Sequence, residues 1–152
     1  MEKKEDILNL EHTLLPWMGR TMKVLDYFIG DFLNLEGIEL TKVQLILLKR
    51  LNEQDGQPQQ NLAFLTNRDK ASLARLITTM EKKNLVERTP SKIDGRINHI
   101  FITPHGRAIL GKAAPILKKV VAYIQEGISE EEIETVIKVM QKVNNNIEKV
   151  SN

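Results

Sequence analysis

The sequence contains no cysteine, which excludes a disulfide framework, thiol-based redox sensing and the strongest class of zinc ligand. It has no apolar run near the ~18 residues that a membrane-spanning helix needs. Met1 is followed by Glu-Lys-Lys-Glu-Asp rather than by an apolar signal region. We therefore expect a cytoplasmic protein that does not contact a membrane.

Patterns that carry catalysis or bind metals are also scarce. The three histidines, His12, His99 and His105, are not paired at the spacing that places two ligands on one helix face. The chain shows no distinct Ser/His/Asp grouping, phosphate-binding glycine loop or carboxylate dyad. We therefore expect no metal site, no cofactor and no enzymatic activity.

Charge, in contrast, is unevenly distributed along the 152 residues, whose net charge is +2. The block from Thr66 to Arg107 holds nine Lys or Arg and four acids, a net charge of +5. The remainder holds 13 bases and 16 acids, a net charge of −3. A basic middle between acidic flanks indicates a face for a polyanion such as nucleic acid. The alternative is an ordinary solvated surface.

The residues from Leu62 to Thr103 have the order of a winged helix-turn-helix. Their pattern predicts a short helix over 58–65 and a longer basic helix from Asp69 to about Lys83. Asp69 stands where an N-cap carboxylate accepts hydrogen bonds from the free amides of the second helix.

A two-stranded hairpin follows the second helix. Asn84 is expected to end that helix in the left-handed conformation, a role it shares with glycine. Strands are predicted over 85–89 and 97–102. The pair Asp94-Gly95 between them is a turn signal.

Helical regions flank this segment on both sides. Over residues 5–36 apolar residues recur at helical spacing, and Pro16 predicts a short leading helix followed by a main helix. A helix capped by Thr41 is predicted to run to Leu51, and 52–58 is predicted to be a loop.

Beyond the hairpin, Thr103-Pro104 predicts the start of a helix, in which Pro115 predicts a kink or a second start. A capping box at Ser129 predicts a final helix. That helix carries a narrow apolar seam, which favours packing against a second subunit or, alternatively, against its own domain. The seam consists of Ile133, Val136, Met140, Val143, Ile147 and Val150.

The motifs together resemble those of the MarR family of transcription regulators over roughly residues 16–150. Asp94-Gly95-Arg96, followed by Ile102-Thr103-Pro104-His105-Gly106, is similar to the wing motif of that family. The resemblance implies a mostly α-helical fold with a small β-hairpin wing in a single domain, 1–152. It places the winged helix-turn-helix module at 40–103 and a helical dimerisation region at 5–36 and 104–150.

The function implied by the resemblance is sequence-specific transcription regulation. We expect a homodimeric repressor that binds a pseudo-palindromic operator in double-stranded DNA, with half-sites ~34–36 Å apart. The alternatives are a ligand-independent activator or architectural DNA-binding protein, and a winged module used only for protein contacts.

Specific residues acquire expected roles from this resemblance. Arg96 at the tip of the wing suits a narrow minor groove, because its guanidinium is planar and always charged. Asp94 is expected to orient Arg96, since a carboxylate repels phosphate. Arg75 is expected to contact guanine or phosphate, with a structural ion pair as the alternative. Ser72 and Lys70 are expected near base edges. Phosphate contacts, with plain surface exposure as the alternative, are expected from Arg68, Thr79 and Lys92.

A small aromatic effector is also expected, because family members often release DNA when such a ligand binds. The predicted lining of its pocket is Trp17, Met18, Met22 and Phe28. Aromatic and methionine residues at helical spacing are, alternatively, ordinary core.

Overall fold

A computed structural model of the chain describes residues 8–66 and 69–151. Within these residues the fold is mostly helical with one small antiparallel sheet, which confirms the predicted fold class. No helix of this part of the chain is long and apolar enough to cross a membrane. The elements are α1 (Leu14–Leu35), α2 (Lys42–Glu53), β1 (Gln57–Pro58), a 3-10 helix (Gln59–Thr66), α3 (Lys70–Lys82), β2 (Val86–Pro90), β3 (Asn98–Ile102), α4 (Pro104–Ile124) and α5 (Glu130–Ser151).

The chain divides into two compact units, one ending at Leu117 and one beginning at Lys118. The first unit contains the whole segment 40–103, which we call the winged module. Its core is aliphatic, and it is contributed by the inward faces of α2, the 3-10 helix, α3 and the sheet. Fully buried members include Leu47, Leu48, Leu51, Leu62, Ile77, Met80 and Ile100.

The first helix begins before Pro16 rather than at it. Pro16 is the third residue of α1, where its missing N–H has no helical partner to lose. Residues 8–13 contain turns but no helix, so the predicted short leading helix is wrong there, and the rest of that prediction lies outside the described residues. Pro16 therefore did not divide residues 8–35 into two helices.

Local capping predictions are confirmed at three positions. The amide of Gln44 donates to Thr41 Oγ1 (3.2 Å), and Thr41 N–H donates to the Gln44 side chain (3.1 Å). Asn84 adopts a positive φ of 57°. At the start of α5 the Glu132 amide donates to Ser129 Oγ (3.2 Å), and Ser129 N–H donates to the Glu132 carboxylate (2.8 Å).

Two predictions of element type are wrong. Residues 57–58, predicted as loop, form strand β1, which pairs with β3 through Gln57↔Ile100 and Pro58↔His99. Because β2 pairs with the other edge of β3, the strand order is β1-β3-β2. α4 continues through Pro115, so the predicted second start is wrong, and the alternative of a kink at Pro115 stays a prediction.

The Thr103–Gly106 motif joins the sheet to α4. Thr103 Oγ1 donates to the Asn84 carbonyl (2.6 Å) and accepts from the Gly106 amide (2.9 Å). Thr103 thereby caps α4 and links it to the end of α3. The hydrogen bonds of Thr103 therefore give this motif a structural role.

Candidate nucleic-acid interface

The N-terminus of α3 is held by a carboxylate. Asp69 Oδ1 accepts from the Ala71 amide (3.1 Å), and the Ser72 hydroxyl donates to the second oxygen of Asp69. The Ser72 hydroxyl is the main reason that the pKa of Asp69 lies below its ordinary value. Backbone amides of Ser72 and Ala71 and the charge of Arg75 act in the same direction, and burial opposes them. Asp69 is therefore the N-cap that the sequence predicts.

Ser72 also connects this cap to Arg75. Arg75 Nη2 donates to Ser72 Oγ (2.9 Å), so the hydroxyl is engaged on both sides. Among the described residues no carboxylate oxygen lies within ion-pair distance of Arg75. This disfavours the structural ion pair as the role of Arg75. It gives Ser72 a positioning contact in addition to its expected proximity to base edges.

The cap makes stability depend on pH in a definite direction. The lowered pKa of Asp69 means that its stabilisation is fully present above its unfolded-state pKa, near 3.8, and is lost as pH falls through the folded-state value. We expect Asp69→Ala to lower the unfolding temperature at pH 7, and the difference from wild type to shrink as pH falls below the unfolded-state pKa of 3.8. Thermal unfolding of both proteins across this range measures the difference. An effect of Asp69→Ala that does not change with pH would exclude an ionised cap.

Two cations of the basic block serve the fold instead of an exposed face. Arg88 Nη2 donates to Thr78 Oγ1 (3.1 Å) and lies 3.4 Å from the carboxylate of Glu81, which joins β2 to α3. Arg107 pairs with Asp55 (2.8 Å). Asp55 also accepts from the Ile102 amide (2.9 Å). Charge counting along the sequence therefore overstates the charge available to a ligand, because it does not reveal these pairs.

The wing, formed by β2, β3 and residues 91–97, has an ordered tip. Ser91 Oγ accepts from the amides of Ile93 (3.2 Å) and Asp94 (3.3 Å). Asp94 Oδ1 accepts from the Arg96 amide (3.0 Å), and the Ile97 amide donates to the Asp94 carbonyl (3.0 Å). Asp94 thus contacts the backbone of Arg96, which is compatible with its predicted orienting role.

The expected cations remain available. Lys70, Arg75, Lys92 and Arg96 are exposed, and none makes an ion pair with another described residue. Thr79 is exposed, but its hydroxyl donates to the Arg75 carbonyl (2.9 Å), which favours the surface alternative for this residue. Arg68 lies outside the described residues.

A cleft of about 620 Å³ opens between the 3-10 helix, the start of α3 and the wing. It brings together Lys70 and Arg96, which are 26 positions apart in the sequence. Carboxamides and apolar side chains complete its lining. We call it the amide cleft, and its lining is Gln59, Gln60, Asn61, Ala63, Phe64, Lys70, Leu73, Arg96, Ile97 and Asn98.

The four residues expected to bind an effector are not enclosed together in this chain. Trp17 is 59% exposed, and its indole N–H donates to the Glu11 carbonyl (3.2 Å). Met22 is 47% exposed, and Met18 is half-buried. Phe28 is half-buried and packs on Phe32 with ring centroids 4.8 Å apart. Their predicted role in ligand binding stays a prediction.

A different groove, which sequence reasoning missed, lies between α2 and α4. Its volume is about 590 Å³, and its wall is mostly aliphatic with Lys49 and Arg107 among the polar residues. Its lining is Leu45, Ile46, Lys49, Asn52, Glu53, Arg107, Leu110, Gly111, Ala114 and Leu117. Only the separate apolar stripes of α2 and α4 were visible in sequence, and the folded chain is what places them side by side. Within the described residues no cluster of three or more His, Asp or Glu side chains could hold a metal ion.

Comparison with known proteins agrees with this geometry. Residues 40–97 match the sequence profile of the MarR family. The chain is 27% identical over 140 residues to an uncharacterised HTH-type transcriptional regulator, YybA, of Bacillus subtilis. That match covers 90% of this chain and 89% of YybA.

Solved structures share the fold. BpsR of Bordetella bronchiseptica, whose DNA binding is regulated by 6-hydroxynicotinic acid, is 17% identical with a TM-score of 0.80, and the match covers 90% of this chain and 96% of BpsR. The organohalide-sensing regulator RdhR-CbdbA1625, solved with bound 2,4-dichlorophenol, is 19% identical with a TM-score of 0.81. The match covers 96% of this chain and 86% of that regulator.

Proposed function

Because the winged module of this chain belongs to the MarR family of transcription regulators, we propose that the protein is a homodimeric, sequence-specific repressor. It binds a pseudo-palindromic operator in double-stranded DNA and is released by a small aromatic ligand. The single observation that carries the DNA-binding proposal is the set of exposed cations on α3 and the wing that make no ion pair with another described residue. Lys70 and Arg75 lie on α3, and Lys92 and Arg96 lie at the wing tip.

The two elements suit adjacent grooves. An α helix fits the major groove of B-DNA, where base edges can be distinguished. A narrow minor groove attracts an inserted guanidinium through its negative potential. α3 with Arg75 therefore reads base edges or holds a phosphate, while Arg96 enters the neighbouring minor groove.

Dimerisation is supported by apolar side chains that a single chain leaves exposed. α5 is apolar along one seam, yet it has no buried residue among those described. On this seam Val136 is 54% exposed and Ile147 is 59% exposed. On α1, Leu15 is 68% and Val24 is 68% exposed. A second copy of the chain would cover these exposed apolar side chains of the two terminal helices. Two-fold symmetry then requires two half-sites about one helical turn apart.

The ligand is proposed to bind in the groove between α2 and α4. Its volume lies within the roughly 300–1,000 Å³ of small-molecule sites. Its aliphatic wall suits an aromatic ring, and Lys49 in its lining, whose Nζ lies 3.6 Å from the carboxylate of Glu53, suits a phenolate or carboxylate that displaces Glu53. α4 begins directly after β3, so a ligand held against α4 lies on the helix that continues the wing.

The experiment that tests the proposal is selection of bound fragments from random double-stranded DNA by the purified protein. Enrichment of a pseudo-palindrome with half-sites about one helical turn apart is the expected result. Salt-dependent binding without enrichment would favour an architectural protein. Absence of DNA binding at low salt would leave only the protein-interaction alternative.

Ligand release is tested on the enriched duplex with 2,4-dichlorophenol and 6-hydroxynicotinic acid as probes. We expect at least one of them to weaken binding by wild type. Ala114→Phe fills the groove from an exposed position and should abolish that response while DNA binding persists. A response that survives Ala114→Phe would place the ligand elsewhere, for example among Trp17, Met18, Met22 and Phe28.

A further inference from the structure

The amide cleft lies where a winged helix-turn-helix must accommodate a DNA strand. The major and minor grooves of B-DNA are separated by one sugar-phosphate backbone. A module that places α3 in the major groove and Arg96 in the adjacent minor groove therefore holds that backbone between its two elements. The amide cleft is the space between the 3-10 helix, the start of α3 and the wing.

The polar side chains that line the amide cleft have no hydrogen-bond or ion-pair partner among the described residues. The side chains of Gln59, Gln60, Asn61 and Asn98 make no hydrogen bond to another described residue. Lys70 and Arg96 make no ion pair, and no described carboxylate lines the cleft. Arg88 and Arg107 differ, because both are engaged in the fold.

One polar atom of the cleft, on Gln59, is buried as well as unpaired among the described residues. The carboxamide oxygen of Gln59 is buried without a hydrogen-bond partner among the described residues. A buried acceptor of this kind is costly to leave unpaired. A water molecule that donates to both Gln59 and a phosphate oxygen would satisfy it, as bridging waters do at protein–DNA interfaces.

We propose that the amide cleft clamps one phosphodiester of the strand between the two grooves, with the carboxamide N–H groups of Gln60 and Asn61 as neutral donors. Asn98 donates from the wing side, and Lys70 and Arg96 supply charge at the same place. The apolar side chains of Phe64 and Ile97 face the deoxyribose. This proposal rests on the proposed function and adds a set of positioning residues to it.

The salt dependence of DNA binding distinguishes neutral donors from cations. Losing a cationic phosphate contact lowers the slope of log affinity against log salt by about 0.9, because fewer counterions are released. Losing a carboxamide contact weakens binding without changing that slope. The contact carries no base information, so its loss is equal for every sequence.

The test uses Gln60→Ala/Asn61→Ala, Lys70→Ala and, as a matched control, Gln54→Ala, whose exposed side chain lies outside the cleft. Affinities are measured over a range of salt for a random-sequence 30-base-pair duplex and for the duplex enriched by selection. We expect the double variant to lose at least about 16-fold on both duplexes with an unchanged salt slope, since each neutral hydrogen bond contributes roughly two- to tenfold and a dimer loses four of them. Lys70→Ala should lower the slope, and Gln54→Ala should match wild type.

The position of the clamp is tested on the enriched duplex with single methylphosphonate substitutions, each of which removes one phosphate charge. The affinity of wild type should fall most when the phosphate between the major-groove and minor-groove contacts is substituted. The affinity of the double variant should fall less at that position. The clamp is overturned if the double variant binds both duplexes as tightly as wild type, or if its loss of affinity is confined to the enriched duplex. If wild type itself binds neither duplex at low salt, the proposed function fails first.

Discussion

Arg96→Ala is expected to lower affinity for the enriched duplex by roughly 30-fold or more. Each base-reading or groove-inserted arginine contributes about 1–3 kcal/mol, and a dimer loses two of them. The side chain is exposed, makes no ion pair among the described residues and stands on an ordered turn, so little else should change. Equilibrium binding to the enriched and random duplexes measures the loss.

Arg96→Lys separates charge from shape at the same position. Lysine keeps the positive charge but lacks the planar guanidinium that fits a narrow groove. We expect Arg96→Lys to bind the random duplex like wild type and to lose a large part of its preference for the enriched one. An unfolding temperature equal to that of wild type must accompany both variants. If a well-folded Arg96→Ala retains wild-type specificity, the wing does not read DNA through this residue.

Gly106→Ala is expected to destabilise the protein by about 1–3 kcal/mol, the usual cost of overpacking a close contact. A Cβ at this position would lie 2.2 Å from the Leu85 carbonyl oxygen and 3.0 Å from Ile102 Cγ1. The nearest atom belongs to the backbone of Leu85, so α4 and the start of β2 must separate. That movement would also strain the Thr103 hydrogen bonds that join them.

The predicted loss of stability in Gly106→Ala is opposite in sign to what helix propensity predicts. Helix propensity alone predicts that Gly→Ala within α4 stabilises by about 1 kcal/mol. Gly111 provides the matched control, because it lies in the same helix and a Cβ there would meet nothing within 4 Å. Denaturant unfolding at one fixed protein concentration should show Gly106→Ala less stable and Gly111→Ala at least as stable as wild type. Stabilisation of both would refute the close approach.

Arg88 and Arg107 show why charge alone did not define the interface. Both lie in the basic block, and the residues next to them in the sequence do not reveal that each is held in an ion pair. Their acidic partners are known only after folding, since Asp55 is 52 positions from Arg107. The amide cleft escaped prediction for the same reason, because Gln60 and Asn98 come from separate elements.

The sequence by itself determined those features that depend on neighbouring residues. Thr41 and Ser129 cap their helices because side chain and amide lie three positions apart, and Asn84 ends α3 because a short polar residue tolerates positive φ. Only the tertiary structure decided that residues 57–58 form a strand, because so short a segment becomes a strand only by pairing with the edge of β3. It likewise decided which cations form ion pairs and that Lys70 and Arg96 line one cleft, since long-range contacts leave no periodic pattern in the sequence.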